Sequence, residues 1–237
     1  MSPRRIRLAA FDLDGVLVKE RSSWAYLHRF FGSYEAVRKA NYTKLFEEGV
    51  ISYSDWMRLD LEAIVRARKV VYCREVEEAF KFVELAEGVW ELINFLRGSN
   101  VRVAIVSSGI DVLAARVASI LGIEEVHANR IVCDNNGVLA PYGIEVVNPL
   151  RKGDVVAGIA AKYGIPLSET MYVGDSLWDC SAFSVVGLPV VLGDWNVKCS
   201  GGFELIYVSN VLELTHLLRR LIGEEGSAGT QVHLATP

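Results

Sequence analysis

Ile6-Arg7-Leu8-Ala9-Ala10-Phe11-Asp12-Leu13-Asp14-Gly15-Val16-Leu17 is the stretch that decides how this chain is read. It runs from a short apolar strand into two aspartates one residue apart, followed by a glycine. A buried strand has no structural use for two carboxylates at its carboxyl end. Like charges this close repel unless a metal, a shared proton or backbone N–H groups hold them. In an open α/β sheet, that end is where ligands bind. Taken alone, Asp-x-Asp-Gly also reads as a turn with helix-capping aspartates, so the rest of the chain has to decide.

The chain has 237 residues, 51% of them hydrophobic and 23% charged, enough for one large domain or a domain with an insertion. A formal net charge of −4 argues against broad binding to nucleic acid or a membrane surface, which needs a basic face. It leaves room for an anionic substrate in a locally charged pocket. After the basic start Met1–Arg5, the apolar run ends at Asp12, too short for a signal-peptide core. No apolar stretch reaches membrane-spanning length. Cys73, Cys133, Cys180 and Cys199 are dispersed, with no Cys-x-x-Cys, and read as buried or half-buried thiols rather than a zinc site or a disulfide framework. The expectation is a soluble cytoplasmic protein with no nucleic-acid or membrane partner and no assigned oligomeric state. A single glutamine, Gln231, hints at a heat-adapted source.

After residue 87 the apolar pattern alternates between two periods. Val101–Val106 reads as a strand, and Ile110, Leu113, Ala114, Val117, Ile120 and Leu121 mark a helical face that stops at Gly122. Val155 to Tyr163 then reads as a helix, Met171–Val173 as a strand, Leu177–Val185 as a helix and Leu188–Leu192 as a strand. Tyr207-Val208 and a helix over Val211–Leu221 close the pattern. Such alternation predicts an α/β fold, a Rossmann-like parallel sheet with helices on both faces. Asn135-Asn136-Gly137 between two apolar runs predicts a small β-hairpin over 130–139.

Residues 20–87 break the rhythm with helical runs at Trp24–Phe31, Tyr34–Glu48, Tyr53–Ala67 and Glu75–Leu85. They read as a small helical cap inserted after the first strand. The expected division is a core of 1–19 and 88–223, a cap of 20–87 and a flexible tail of 224–237.

Four features then fall at comparable places. Asp12 and Asp14 follow the first strand, Ser107-Ser108-Gly109 the second, and Gly174-Asp175-Ser176-Leu177-Trp178-Asp179 the Met171 strand, while Lys152 begins the helix before it. In a parallel sheet the three strand ends share one edge. Singly, Ser-Ser-Gly reads as an N-cap, Lys152 as a surface lysine and Gly-Asp-Ser as a turn; their joint order does not. Four carboxylates would repel a phosphate dianion by roughly 4 kcal/mol per unit-charge pair at ~4 Å and an effective dielectric of about 20. A hard divalent cation, with Mg²⁺ the best suited, reverses that. Lys152, the Ser107 hydroxyl and the N–H groups of Ser108 and Gly109 complete an electrostatic clamp for phosphoryl transfer.

On these motifs the chain resembles the haloacid dehalogenase superfamily of phosphatases, in layout its phosphoserine-phosphatase-like branch, over roughly residues 6–222. The resemblance includes Ala128-Asn129-Arg130 before the hairpin. It implies that Asp12 is the nucleophile forming an aspartyl-phosphate and that Asp14 is the acid and base. It also implies Mg²⁺ held by Asp12, the Asp14 backbone carbonyl and Asp175, with Asp179 orienting its waters or joining its shell. Ser107, Ser108 and Lys152 would hold the phosphoryl oxygens. The partner would be a small phosphorylated metabolite.

The chain departs from the phosphoserine-type pattern on the substrate side. Trp178 replaces a polar residue. A glutamate expected at the start of the cap is matched by Glu20 nearby but by Arg21 on a direct count. An expected cap arginine aligns with Asp60, with Arg58 two residues away. Glu20, Arg21, Arg58 and Trp178 are therefore the specificity candidates, with Trp178 expected to narrow the pocket mouth. Trp24 and Trp56 read as cap packing, and the four histidines show no ligand spacing. The leading reading is a Mg²⁺-dependent phosphomonoester hydrolase. Phosphoserine phosphatase proper, a phosphotransferase or mutase on the same core, and a catalytically silent binding module are the alternatives.

Overall fold

A computed structural model describes residues 5–193 and 196–226. Strand β1 (Leu8–Phe11) is apolar at every position and fully buried, as a central parallel strand must be. The chain continues through α1 (Ser23–Phe31), α2 (Tyr34–Ala40), α3 (Tyr42–Glu47), α4 (Tyr53–Arg68), α5 (Cys73–Phe80) and α6 (Val89–Gly98) before the sheet resumes. Then come β2 (Arg102–Ile110), α7 (Asp111–Leu121), β3 (Glu125–Cys133), β4 (Leu139–Ile144), α8 (Lys152–Lys162), β5 (Thr170–Gly174) and α9 (Cys180–Phe183). Strands β6 (Leu188–Leu192) and β7 (Ile206–Val208) and helix α10 (Val211–Gly226) complete it.

The seven strands form one sheet in the order β4-β3-β2-β1-β5-β6-β7, antiparallel only at the β3–β4 edge. Counted among themselves, the six parallel strands lie in the order 3-2-1-4-5-6, which is the doubly wound Rossmann arrangement. Its switch point falls between β1 and β5. Alternating side chains feed two cores. Leu8, Ala10 and Tyr172 pack on Val156, Ile159 and Phe183, while Ala9, Phe11 and Met171 face the opposite cluster.

That second cluster also contains Leu27, Phe31, Leu61, Ile64, Val76 and Phe80 from α1, α4 and α5. The helical block therefore shares its apolar core with the sheet. Two of its expected helices are shorter than predicted. The run 34–48 is broken at Asn41, whose φ of 50° ends α2 and starts α3. The 75–85 run ends at Phe80. At the other end, α10 extends past residue 223; positions 227–237, most of the expected tail, lie outside the described residues.

The cysteine expectation is overturned. Cys73 is bonded to Cys133, joining α5 to β3, and Cys180 to Cys199, joining α9 to the segment after β6. The partners lie 60 and 19 residues apart with Cα atoms 6.3 and 5.4 Å apart, so no local spacing announces them. Among the described residues no helix is long and apolar enough to cross a membrane.

Candidate active site

Parallel pairing of β1 with β5 sets two carboxylates side by side at the switch point. The Asp12 N–H donates to the Val173 carbonyl at 2.9 Å, so Asp12 emerges beside the loop that carries Asp175. Lys152, the first residue of α8 and 1% exposed, reaches in from below. Its Nζ donates to Asp12 Oδ2 at 2.7 Å and to Asp179 Oδ1 at 2.6 Å. Asp179 Oδ1 also accepts from the Tyr172 hydroxyl at 2.8 Å. Its Oδ2 accepts from the N–H groups of Asp175 and Ser176 and from Ser176 Oγ, each at 3.1 Å. Asp179 is thus saturated with donors and pins the loop that presents Asp175.

The glycine of Asp-x-Asp-Gly has a geometric cause. Gly15 sits at φ +71°, and a Cβ there would overlap the Asp175 carboxylate. The loop can close on Asp175 only because the side chain is missing.

The charges do not balance. Asp12, Asp14, Asp175 and Asp179 face one fully buried cation, Lys152. The guanidinium of Arg21, 72% exposed, lies 3.6 Å from Asp175. Burial raises the Asp12 carboxyl above its ordinary range even against the Lys152 ammonium. Burial pushes Asp14 up to about 7, although the Ser23 N–H and hydroxyl donate to its Oδ2 at 2.9 and 2.7 Å. Asp175 is also pushed to about 7, by burial first and then by Asp12 and Asp179. Burial would lower Lys152, but Asp12 and Asp179 outweigh it and hold the ammonium charged.

This is what a cluster short of positive charge looks like. Carboxylate oxygens of Asp12, Asp175 and Asp179 lie within 4.8 Å of one another, and Asp14 Oδ1 is buried without a hydrogen-bond partner. An all-oxygen donor set of this charge fits a hard divalent cation.

The second strand end supplies the facing wall. Ser107 is 1% exposed, and its Oγ accepts from the Gly109 N–H at 3.0 Å. A Cβ on Gly109 would fall 2.6 Å from Ser23 Oγ and 2.7 Å from Asp14 Oδ2, so glycine is what lets this loop approach Asp14. The Ser108 carbonyl accepts from three directions: Tyr53 hydroxyl at 2.6 Å, Asn129 Nδ2 at 2.9 Å and Trp24 Nε1 at 3.2 Å. Asn129, fully buried on β3, is itself fixed by the N–H groups of Val146 and Val147 at 2.7 and 2.8 Å. Helices α1 and α4 are thereby latched to the Ser107–Gly109 end of β2.

A cavity of about 280 Å³ opens between these walls. Asp12, Asp14, Ser107, Ser108, Lys152 and Asp175 all line it, as do Arg21 and Trp178. Asp179 lies behind them, fully buried. Two specificity candidates are not brought to the cavity. Glu20 is held by Arg29 at 2.8 Å and accepts from the Arg21 N–H, capping the turn rather than facing inward. Arg58 donates to Glu62 at 2.6 Å and lies 3.6 Å from Asp55, because positions i+4 and i−3 share its outer helix face.

Sequence reasoning missed several contributors. Ser23, Tyr53 and Tyr172 act through hydrogen bonds that no motif announces, and Asn129, included in the resemblance, carried no expected role there. Trp24 and Trp56 pack as expected but also line the cavity, together with Asp60. His28 is buried with its Nε2 3.1 Å from Asp60 Oδ1. The available signal was the spacing: His28 and Asp60 each follow a tryptophan by four residues, placing both pairs on helix faces turned the same way.

The family model of the haloacid dehalogenase-like hydrolases matches residues 6–187. The chain belongs to that family, and within it is a phosphatase of the phosphoserine-phosphatase-like branch. It is 29% identical to the phosphoserine phosphatase of Methanocaldococcus jannaschii over 187 residues, covering 79% of this chain and 85% of that protein. Identity to the phosphoserine phosphatase of Archaeoglobus fulgidus is 27%, over 91% of this chain and 61% of the relative. A phosphoserine phosphatase solved as its phospho-aspartyl intermediate analogue superposes with a TM-score of 0.73 at 28% identity, covering 91% of this chain and 99% of the other.

Proposed function

We propose that the chain hydrolyses a small phosphorylated metabolite through an aspartyl-phosphate on Asp12. One observation carries the reading: two aspartates a residue apart have different partners, a buried ammonium for Asp12 and a serine for Asp14. Asp12 Oδ2 accepts from Lys152 Nζ at 2.7 Å, a counter-charge that opposes the upward push of burial on this carboxyl, and Asp12 lines the cavity. Asp14, pushed up to about 7 beside Ser23, keeps its proton near neutral pH. Asp12 attacks phosphorus while the proton on Asp14 passes to the leaving oxygen, and Asp14, now ionised, takes a proton from the water that cleaves the acyl phosphate.

Lys152 and the Ser107 hydroxyl hold the transferring oxygens. Asp12, the Asp14 carbonyl and Asp175 would hold Mg²⁺, which supplies charge neutralisation to the phosphoryl group when bound. Asp179, whose oxygens are already taken, keeps Lys152 and Asp175 in place. Residues 20–87 act as the cap that closes the cavity and limits it to small esters. A cytoplasmic setting fits the two disulfides in a heat-adapted cell, where intracellular disulfides are common.

The names of the relatives make phosphoserine the second substrate to test. The experiment is turnover of p-nitrophenyl phosphate. Asp12→Asn should abolish it in a folded protein, and EDTA should silence the wild-type enzyme until Mg²⁺ is returned. Substantial turnover by the variant, or indifference to chelation, overturns the mechanism.

A further inference from the structure

The end of the cavity away from Asp12 has its own chemistry. Helices α1 and α4 face each other there, each with a tryptophan and, four residues on, a polar group: Trp24 and His28, Trp56 and Asp60. Trp56 packs on Phe46, Tyr53 and Trp178, with ring centroids 5.5, 5.8 and 6.3 Å away. These rings form one continuous aromatic wall, and Trp24, Tyr53, Trp56 and Trp178 all line the cavity. Met57 and Asp60 line it as well.

Asp60 is the only acid on this side. It is 5% exposed and faces His28 Nε2 at 3.1 Å. His28 Nδ1 lies 2.7 Å from Ser33 Oγ. Ser33 Oγ and the Asp60 carboxylate flank the two nitrogens of the buried His28 ring. Burial raises the Asp60 carboxyl above its ordinary range, although His28 and the Trp56 side chain oppose the rise.

Among the described residues lining the cavity only Lys152 and Arg21 are basic, and they face Asp12 and Asp175. A leaving group with a free carboxylate would therefore meet Asp60 with no lysine or arginine of the lining beside it, His28 already being turned to Asp60. An ammonium group would meet aromatic faces, which attract cations through their quadrupole, and a carboxylate behind them.

We infer that this pocket selects phosphomonoesters whose leaving alcohol carries an ammonium group and no carboxylate. The inference rests on the phosphatase reading and adds to it the class of substrate.

The test compares each cationic ester with its neutral carbon isostere: choline phosphate with 3,3-dimethylbutyl phosphate, and ethanolamine phosphate with propyl phosphate. Phosphoserine and p-nitrophenyl phosphate complete the panel. In the wild-type protein at least one cation should exceed its isostere in kcat/KM by about tenfold or more, the range of a desolvated cation–π contact. Phosphoserine should rank below it. Asp60→Asn and, separately, Trp56→Leu should pull that ratio towards one. If neither cation outperforms its isostere, or phosphoserine is the best substrate, the inference is overturned even should the variants fail to fold. Turnover of p-nitrophenyl phosphate without any cation preference removes this inference alone. Failure with every ester removes the phosphatase reading and this one together.

Discussion

The two halves of the cavity are built on opposite principles. The half around Asp12 is polar, over-supplied with carboxylates and assembled from strand ends, where backbone pairing holds each residue. Asp12, Ser107 and Asp175 are carried by three adjacent strands of one sheet, so their spacing follows from the sheet itself. The half around Trp56 is aromatic, carries one acid and hangs on helix faces that stay in place by packing and by two hydrogen bonds to the Ser108 carbonyl, from Trp24 and Tyr53. The difference separates what chemistry demands from what substrate choice demands. Phosphoryl transfer needs charge fixed to within tenths of an ångström, which a sheet edge provides. Substrate choice needs a surface that can change shape without disturbing that edge.

The contrast can be broken most forcefully at Lys152. Lys152→Met leaves Asp12 and Asp179 buried without their cation, a loss of about 3–5 kcal/mol for breaking a buried pair. Denaturant unfolding should show it together with loss of turnover; a stable variant would mean the carboxylates are held otherwise.

The same charge surplus predicts how the protein behaves without metal. Asp14 and Asp175 have folded-state values near 7, above the ordinary 3.8, so the folded state binds protons more tightly than the unfolded one. Their contribution is complete below about pH 4 and is lost as pH rises through 7. The melting temperature in EDTA should therefore fall between pH 5 and pH 8, and Mg²⁺ should recover more at pH 8 than at pH 5. A pH-independent difference between the metal-free and Mg²⁺-loaded protein would contradict the charge surplus.

The helical block is tied to the sheet by a covalent link. Removing the 60-residue Cys73–Cys133 closure with the double variant Cys73→Ser/Cys133→Ser should cost about 4 kcal/mol on the chain-entropy model. The loss should appear in thermal unfolding, with the shift of melting temperature on adding Mg²⁺ unchanged. The smallest effect is expected at Tyr53. Tyr53→Phe removes one of three donors to the Ser108 carbonyl, worth about 1 kcal/mol. It should raise KM more than it lowers kcat, and an unchanged KM would detach the latch from substrate binding.

How much of this was legible in the sequence divides along the same line. Asp12, Asp14, Ser107, Lys152 and Asp175 stand beside local signals, an apolar strand run or a helix start, so pattern alone could bring them to one edge. Glu20 and Arg58 were candidates by position, yet salt bridges to Arg29 and to Glu62 hold them elsewhere. Asp60, read only as a departure from an expected arginine, lines the cavity in its place.

By itself the sequence determined the α/β alternation, the helical insertion and the acidic cluster, because strand period, helix period and short-range motifs are local properties of the chain. Only the tertiary structure decided that the four cysteines pair, that Asp179 is saturated and stands behind the cavity-lining carboxylates, and that Trp24, Trp56 and Asp60 share a wall with Trp178. Those facts depend on which helix faces meet and on contacts between residues 19 to 140 positions apart, and no local periodicity encodes such meetings.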